Sequence, residues 1–400
     1  MPSERVRRAA GEQEKREEYG SATFSYHSEL VKIFQILEKN QFNTGSVHQM
    51  YQAAVGLRQR GHAVTIVSRP DATLEASSRQ EGIDFCGLPL RSELDLKSIR
   101  ALRALVLEKR PDVIHVHKGL SHTLALTATW RDPVAAFVVN RGVSFPLRPW
   151  NRGKYRTRRV DRIVTVCQQI KDVIVMTGRV APDKVDVVYA GTDIALFDAN
   201  RWSRNDFRDE KEIPRDRFLF MQVGVRDWKG WRELIDSFSD VHPRHPETHL
   251  ALIAYKNAED QAAIERYAAE RSVARAVTAV EYRSDMARVM AAADCVVDAS
   301  WAGTGITGTI REAMALTKPV IATDCGGNIE LVSSPDLGWI VPAKNRPALT
   351  RAMLEVIEHP ARAGAVGHNA MEHVRRGFSK MMRIDRLEKL YREIVASKRM

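Results

Sequence analysis

The chain has 400 residues, a formal net charge of +11 and 44% hydrophobic residues. This length suits two domains, and no run of about 20 apolar residues is present, as a membrane-spanning helix would need. The four cysteines are far apart and form no C-x-x-C pair, which excludes a zinc knuckle and favours a reducing compartment. Together with a charged start that lacks a secretory pattern, this predicts a cytoplasmic protein. The excess of Lys and Arg favours an anionic partner, although a basic, solvated surface would give the same balance.

The order of elements along the chain predicts an α/β protein with two doubly wound domains. Residues 1–28 are charged and lack periodicity, which predicts a mobile tail. Short apolar runs then alternate with amphipathic segments, the pattern of β-α units around a parallel sheet. Two such series follow each other, so we expect domains over 29–198 and 199–377 and a last helix over 378–400. Ligands of such sheets bind beyond the carboxyl ends of the strands, which places the site in the cleft between the domains.

The predicted elements are taken from apolar runs and from helical periodicity. In the first series the strands are 30–37, 62–68, 113–117, 136–140, 162–167 and 185–191, and the helices include 47–61 and 101–110. In the second series the strands are 218–224, 249–255, 276–282, 295–300, 319–324 and 338–342. The helices of the second series are 231–241, 259–271, 284–293, 308–316 and 347–359, followed by the final helix at roughly 378–398.

A glycine-rich turn between the strand at 295–300 and the helix at 308–316 is the richest chemical signal. Glycines at such a turn let a phosphate approach backbone N–H groups at a helix N-terminus, where the helix dipole is positive. A tight turn without a ligand is the plainer interpretation. Gly303, Gly305 and Gly308 also form a literal G-x-G-x-x-G, so a dinucleotide-dependent oxidoreductase is an alternative. However, dinucleotide folds usually carry this pattern at their first strand, and here it lies late in the second series.

The same segment resembles the signature of the family 4 retaining glycosyltransferases, which have the GT-B fold of two facing Rossmann-like domains. The matching residues are Gly305, Glu312, Ala313, Met314, the strand from Pro319 to Asp324, Gly326 and Gly327. The resemblance implies that Glu312 contacts the donor ribose. It also implies that Gly305, Ile306 and Thr307 contact the donor phosphates and sugar through backbone groups. Thr304 stands where the family has the Glu that contacts the transferred sugar.

Two further segments are similar to donor-side loops of the family. The stretch 221–230 resembles a strand and loop ending in Lys-Gly, and Lys229 matches the lysine that faces the donor diphosphate. A solvated surface lysine is the alternative interpretation. Arg226 is the candidate for the arginine of that loop. After the first strand, Gly45 and Ser46 match the family's glycine-rich loop near donor and acceptor.

Arg141 occupies the place of an active-site histidine found in many members of the family. A guanidinium stays protonated and cannot act as a base, but it can bind an anionic acceptor or a phosphate. His115 and His117 end the preceding strand, and we interpret both as buried structural residues. The resemblance also implies that the last helix returns to the first domain.

The sequence thus predicts a retaining glycosyltransferase that moves a sugar from a nucleotide-sugar donor to a glycan or glycolipid acceptor in lipopolysaccharide or polysaccharide biosynthesis. Positioning and electrostatics would carry the reaction. No Asp-x-Asp is present, so we expect no metal and no cofactor besides the nucleotide-sugar co-substrate. Because Thr304 and Arg141 replace family residues, a catalytically silent nucleotide-sugar-binding protein is an alternative.

Basic and aromatic residues are interleaved around 148–162, as in segments that bind an anionic membrane surface. A solvated helix with extended arginine side chains explains the pattern equally well. No nucleic-acid-binding motif is present, so we expect no nucleic-acid partner. The predicted membrane-facing residues are Arg148, Arg152, Lys154, Arg156, Arg158 and Arg159.

Overall fold

The computed structural model describes residues 30–41, 44–131, 135–302 and 305–399. The predicted tail, Asn43, Gly303 and Thr304 therefore lie outside the described residues. Two parallel sheets with helices on both faces follow each other along the chain, which confirms the predicted α/β class with two Rossmann-like domains. In the described part of the chain, no helix combines the length and the apolar composition that crossing a bilayer requires.

The first sheet has seven parallel strands in the order β3-β2-β1-β4-β5-β6-β7. The strands are β1 (Lys32–Leu37), β2 (Ala63–Ser68), β3 (Asp84–Gly87), β4 (Val113–Val116), β5 (Ala136–Arg141), β6 (Arg162–Thr165) and β7 (Val185–Val187). The helices between them are α1 (Gly45–Gln59), α2 (Ala72–Gln80), α3 (Leu96–Lys109), α4 (Gly119–Ala128), α5 (Arg152–Arg156) and α6 (Gln168–Gly178).

The second sheet has six parallel strands in the order β10-β9-β8-β11-β12-β13. They are β8 (Phe218–Val223), β9 (Thr248–Tyr255), β10 (Val277–Glu281), β11 (Cys295–Asp298), β12 (Val320–Thr323) and β13 (Trp339–Val341). The helices are α7 (Arg204–Glu210), α8 (Trp231–Val241), α9 (Ala258–Glu270), α10 (Met286–Ala291), α11 (Gly308–Ala315), α12 (Asn328–Leu331), α13 (Arg346–Glu358) and α14 (Pro360–Gly377).

The strands are continuous apolar runs because helices cover both faces of each sheet. In β8, Leu219 and Met221 pack into the core on one face, and Phe220 packs into the core on the other. Strands that run parallel also end at one edge of their sheet, so the loops after β8, β11 and β12 lie together.

The last helix, α15 (Lys380–Arg399), packs on the first domain. Its residues Ile384, Leu387 and Tyr391 join the core between the first sheet and α1. A Cβ at Gly56 of α1 would overlap the side chain of Ile384, so a glycine is needed where the two helices meet. The C-terminal helix thus ties the end of the chain to its first half.

Several elements were not predicted, among them strand β3 and helix α14, and these two have weak sequence signals. Strand β3 is a four-residue edge strand without a buried residue, so it lacks an apolar run. Helix α14 begins at Pro360 and contains several glycines, which have low helix propensity. Gly367 is nevertheless required, because a Cβ there would collide with the carbonyl of Thr317.

Candidate active site

Lys229 lies in a short 3-10 turn that follows β8 at the carboxyl edge of the second sheet. The next residue, Gly230, has a φ of 69°, a backbone conformation that favours glycine. A side chain at Gly230 would also collide with the carbonyl of Ala299, just beyond β11. The glycine therefore lets the Lys229 turn press against the end of the neighbouring strand.

The Lys229 ammonium is paired with a carboxylate that ends β11. Its Nζ lies 3.2 Å from Oδ1 of Asp298, whose side chain is only 1% exposed. Ser300 and Thr307 donate their hydroxyls to Asp298 over 2.7 and 2.8 Å, and Asn328 donates its amide over 3.1 Å. Burial opposes ionisation, but the Lys229 charge and these three donors hold the pKa of Asp298 below its usual value. These contacts hold Lys229 beside the turn that precedes α11.

The N-terminus of α11 is open for a ligand. Its N-cap residue, Thr307, makes no side-chain bond to the helix because the hydroxyl is used by Asp298. The first backbone N–H groups of α11 are therefore not satisfied by a cap, and such a terminus attracts anions. The preceding turn faces the first domain, since a Cβ at Gly305 would lie 2.8 Å from Cγ2 of Val166 and 3.9 Å from the carbonyl oxygen of Gly142.

Glu312 lies one turn into α11, next to this open terminus. A Cβ at Gly308 would lie 3.8 Å from Oε1 of Glu312 and 3.6 Å from Nη2 of Arg311, so the two side chains flank the start of the helix. The residue is partly exposed, yet burial raises the pKa of its carboxyl while the charge of Arg311 lowers it. Glu312 can therefore reach a ligand whose phosphates lie at the helix terminus.

The first domain contributes a second open helix terminus, that of α1. Its N-cap residue, Thr44, sends its hydroxyl to the carbonyl of Gln41 and does not cap the helix. A Cβ at Gly45 would meet no atom of the described residues within 4 Å. The buried Oγ of Ser46 has no hydrogen-bond partner in the described part of the chain. These features leave room and donors for a ligand, as expected for the predicted loop.

The other two predicted catalytic residues are not part of the Lys229 network. Arg141 ends β5, and its Nη2 donates to the carbonyl of Phe145 over 2.6 Å, which holds it in its own loop. Arg226 is exposed, and its guanidinium forms no hydrogen bond or ion pair with the described residues, although its carbonyl accepts the backbone N–H of Lys229 over 2.9 Å. Arg141 still borders the cleft, because the carbonyl of the following residue approaches Gly305.

His115 and His117 are fully buried, as we interpreted them. His117 lies within hydrogen-bond distance, 2.6 Å, of the amide oxygen of Gln35, and His115 bonds to the hydroxyl of Tyr391. Burial lowers the pKa of His117 to about 3 and that of His115 well below its usual value. Both rings are therefore neutral at physiological pH, and they join the last helix to the first sheet.

The structure corrects the predicted membrane-facing set. Arg159 is only 8% exposed, donates to the carbonyl of Ala135 over 2.8 Å and lies over the ring of Phe137. It cannot face a membrane, so that prediction is wrong. Lys154 also turns inwards and donates to the carbonyl of Gly119. The inward position of Arg159 and Lys154 was not recognisable in the basic run, because charge alone does not show which side chains of a segment pack inwards.

Asp298 is the site residue that sequence reasoning missed. It ends a strand whose other residues are all buried and apolar, and a carboxylate in that place needs a partner. A carboxylate at the end of an otherwise apolar strand was therefore the sequence signal for Asp298. Asn328, just beyond the glycine pair, was missed in the same way. Its side chain donates to Asp298, and its amide oxygen accepts the N–H of Thr307.

Two parallel-sheet domains with a lysine and an open helix terminus at their cleft define a GT-B glycosyltransferase. Residues 44–196 match the model of Glycosyltransferase Family 4, and residues 216–359 match that of Glycosyl transferases group 1. The chain belongs to the family 4 glycosyltransferases.

Known proteins similar to this chain agree with that assignment. The lipopolysaccharide core biosynthesis mannosyltransferase LpcC of Rhizobium leguminosarum is 24% identical over 62% of this chain and 68% of its own. A glycosyltransferase structure from Rickettsia africae covers 92% of this chain and 99% of its own, with a TM-score of 0.84 and 17% identity. The structure of Anabaena Alr3699/HepE in complex with UDP has a TM-score of 0.77 and 18% identity, covering 90% and 99% of the two chains.

Proposed function

We propose that the chain transfers a sugar from a nucleotide-sugar donor to a glycan or glycolipid acceptor of the cell envelope, with retained anomeric configuration and without a metal ion. The observation that carries this proposal is the position of Lys229. Asp298 holds its ammonium at the cleft, beside the open N-terminus of α11 and near the loop that precedes Glu312.

In the proposed reaction the bond between the donor sugar and the diphosphate breaks, and negative charge grows on the leaving phosphate. The Lys229 ammonium and the N–H groups of α11 would stabilise that charge. Glu312 would hold the ribose and so position the donor. The acceptor hydroxyl would attack from the face of the leaving group and give its proton to a phosphate oxygen, which needs no nucleophile from the protein.

The class of acceptor is supported by similarity and by charge. LpcC, which is similar to this chain over 62% of its length, acts in lipopolysaccharide core biosynthesis according to its name. The formal net charge of +11 suits an acceptor or a surface rich in anionic groups. UDP is the first nucleotide to test, because it is bound in the similar Anabaena structure.

Calorimetric titration with nucleoside diphosphates and with NAD would separate this proposal from a dinucleotide-dependent enzyme. We expect one nucleoside diphosphate to bind, Glu312→Gln to weaken its binding, and NAD to give no heat. In a dinucleotide-dependent enzyme, Asp324 would be the acid that binds the ribose, because it lies at the end of the strand after the glycine-rich turn. Here it accepts the N–H of Ala343 over 2.9 Å, which favours a structural role. Binding of NAD that Asp324→Ala abolishes would contradict the proposal.

Removal of divalent metal should leave turnover unchanged. Lys229 occupies the place beside the leaving diphosphate where a divalent cation would otherwise stabilise charge. The measurement is the initial rate of nucleoside diphosphate release before and after EDTA treatment, with a known metal-dependent transferase as the control. A rate that falls in EDTA and returns with magnesium or manganese would overturn the metal-independent mechanism.

We further propose that the segment before β6 binds an anionic membrane surface. Arg148, Arg156 and Arg158 are exposed, and the neighbouring Trp150 is largely exposed as well. Each arginine would contribute about 1 kcal/mol at such a surface, reduced by salt. Replacing all three by Gln should therefore lower sedimentation with anionic vesicles.

The matched control replaces three exposed arginines of the second domain, Arg351, Arg375 and Arg376, by Gln. It removes the same charge from another face and should retain more vesicle binding. Equal losses in the two triple variants would show that net charge, and not this segment, determines binding. Equal binding to neutral and anionic vesicles would remove the electrostatic basis of the proposal.

A further inference from the structure

Two buried arginines come from elements that meet at the segment Ala190–Gly191, since Arg311 donates to the carbonyl of Ala190 and the backbone at the start of α15 packs against Gly191. Arg311 belongs to α11 of the second domain, and Arg383 belongs to the first turn of α15, which packs on the first domain. Their exposed fractions are 4% and 3%. Buried arginines are normally paired with a carboxylate or fully hydrogen-bonded.

These two guanidinium groups are not fully bonded. Nη1 of Arg311 donates to the carbonyl of Ala190 over 2.7 Å, but its Nε has no hydrogen-bond partner among the described residues. In the same part of the chain, neither Nε nor Nη1 of Arg383 has a partner. Within the described ranges no carboxylate forms an ion pair with either side chain. Three buried donors of two cations are thus unsatisfied.

Both side chains are charged at neutral pH despite this environment. The pKa of each arginine is lowered to about 10, mainly by burial, and for Arg383 the charge of Arg311 is part of that lowering. The groups facing Arg383 from β4 and α15 are neutral, since burial keeps His115 and His117 unprotonated and raises the pKa of Tyr391. Only Glu312 offsets the charge of Arg311. Two positive charges therefore share a site with too little negative charge.

The pair adjoins the proposed donor site but takes no part in the ion pair between Lys229 and Asp298. Arg311 and Glu312 flank the start of α11, whereas Lys229 is bound to Asp298. The peptide that links Ala190 to Gly191 places the pair near α1. Its carbonyl accepts from Arg311, and its N–H donates to the side chain of Gln49 over 3.1 Å. The arginines therefore lie close to the N-termini of α1 and α11, the two helix termini that border the cleft.

We propose that Arg311 and Arg383 bind the anionic group, a phosphate or a carboxylate, of the acceptor. This inference rests on the proposed glycosyl transfer and names the acceptor class. A guanidinium offers several donors in a planar fork that matches these groups, and an anion would satisfy the three free donors together. Because one arginine belongs to the second domain and the other to the helix that packs on the first domain, the bound anion would also draw the two domains together.

The experiment measures the thermal unfolding midpoint in inorganic phosphate and in chloride at equal ionic strength. Phosphate should raise the midpoint of the wild type, because a ligand that binds only the folded state stabilises it. The shift should be lost in Arg383→Met and in Arg311→Met. It should persist in Lys389→Met, which removes an exposed cation of the same helix, and in Lys229→Met, which alters the donor site. Without phosphate, Arg383→Met should unfold at or above the wild-type midpoint, since it removes a buried, uncompensated charge.

A parallel titration with a nucleoside diphosphate separates the two sources of phosphate. Arg383→Met should keep the wild-type response to the nucleoside diphosphate, and Lys229→Met should lose most of it. Loss of that response in Arg383→Met would assign the arginines to the donor and overturn the inference, as would a phosphate shift that is absent in the wild type or unchanged in both arginine variants. If no nucleoside diphosphate affects the wild type, the proposed function fails, while the phosphate comparison still decides whether the arginines bind an anion.

Discussion

Lys229→Ala should lower the rate of donor turnover by about 10²–10³-fold, the usual cost of removing one group that stabilises charge in a transition state. The loss should be seen mainly in kcat, because the charge on the leaving phosphate grows only as the sugar bond breaks. Initial rates of nucleoside diphosphate release at varied donor concentration would measure it.

Lys256→Ala is the matched control. Lys256 is an exposed lysine that follows β9, the strand next to β8, and lies outside the Asp298 network. Its loss should leave the rate near the wild-type value. If Lys229→Ala and Lys256→Ala had the same rate, the assignment of Lys229 to the leaving group would be wrong.

Asp298→Ala should lower the free energy of unfolding by about 3–5 kcal/mol, the cost of breaking one partner of a buried ion pair. The substitution leaves the Lys229 ammonium and the hydroxyls of Ser300 and Thr307 without their acceptor. It should also lower turnover, because the lysine is no longer held at the cleft. Urea unfolding of the purified variant measures the first effect, and the release assay measures the second.

Asp324→Ala is the matched control for Asp298→Ala. Asp324 follows the neighbouring strand β12 but is exposed and accepts one backbone N–H. Its loss should cost only about 1 kcal/mol. If the two variants unfolded at similar urea concentrations, the Asp298 network would not be the stabilising feature of this edge of the sheet.

The parts of the fold that were predictable from sequence are those with strong local signals. Strands β8 and β11 are mostly apolar, and α8 shows a clear helical period, so their positions follow from residue order alone. The glycine-rich turn before α11 was recognisable because it needs a backbone that glycine allows. The Lys229-Gly230 pair was recognisable because it joins a positive charge to such a glycine. The weak edge strand β3 offered no such pattern.

The unpredicted features depend on contacts between distant residues. Arg383 is buried because α15 returns onto the first sheet. Arg311 is buried because α11 approaches the end of the first domain. In the sequence both are ordinary helical arginines. For Arg159 the reverse holds, since its place in a basic run suggested exposure while its stem and guanidinium pack against Phe137.

The most direct test of the proposed function is the release of nucleoside diphosphate by the purified chain from a panel of UDP-, GDP-, ADP- and dTDP-sugars. We predict that donors of one base are turned over and that Lys229→Ala removes most of this activity. Tight binding of a nucleoside diphosphate without turnover of any donor, with or without candidate acceptors, would contradict the proposal and identify a silent nucleotide-sugar-binding protein.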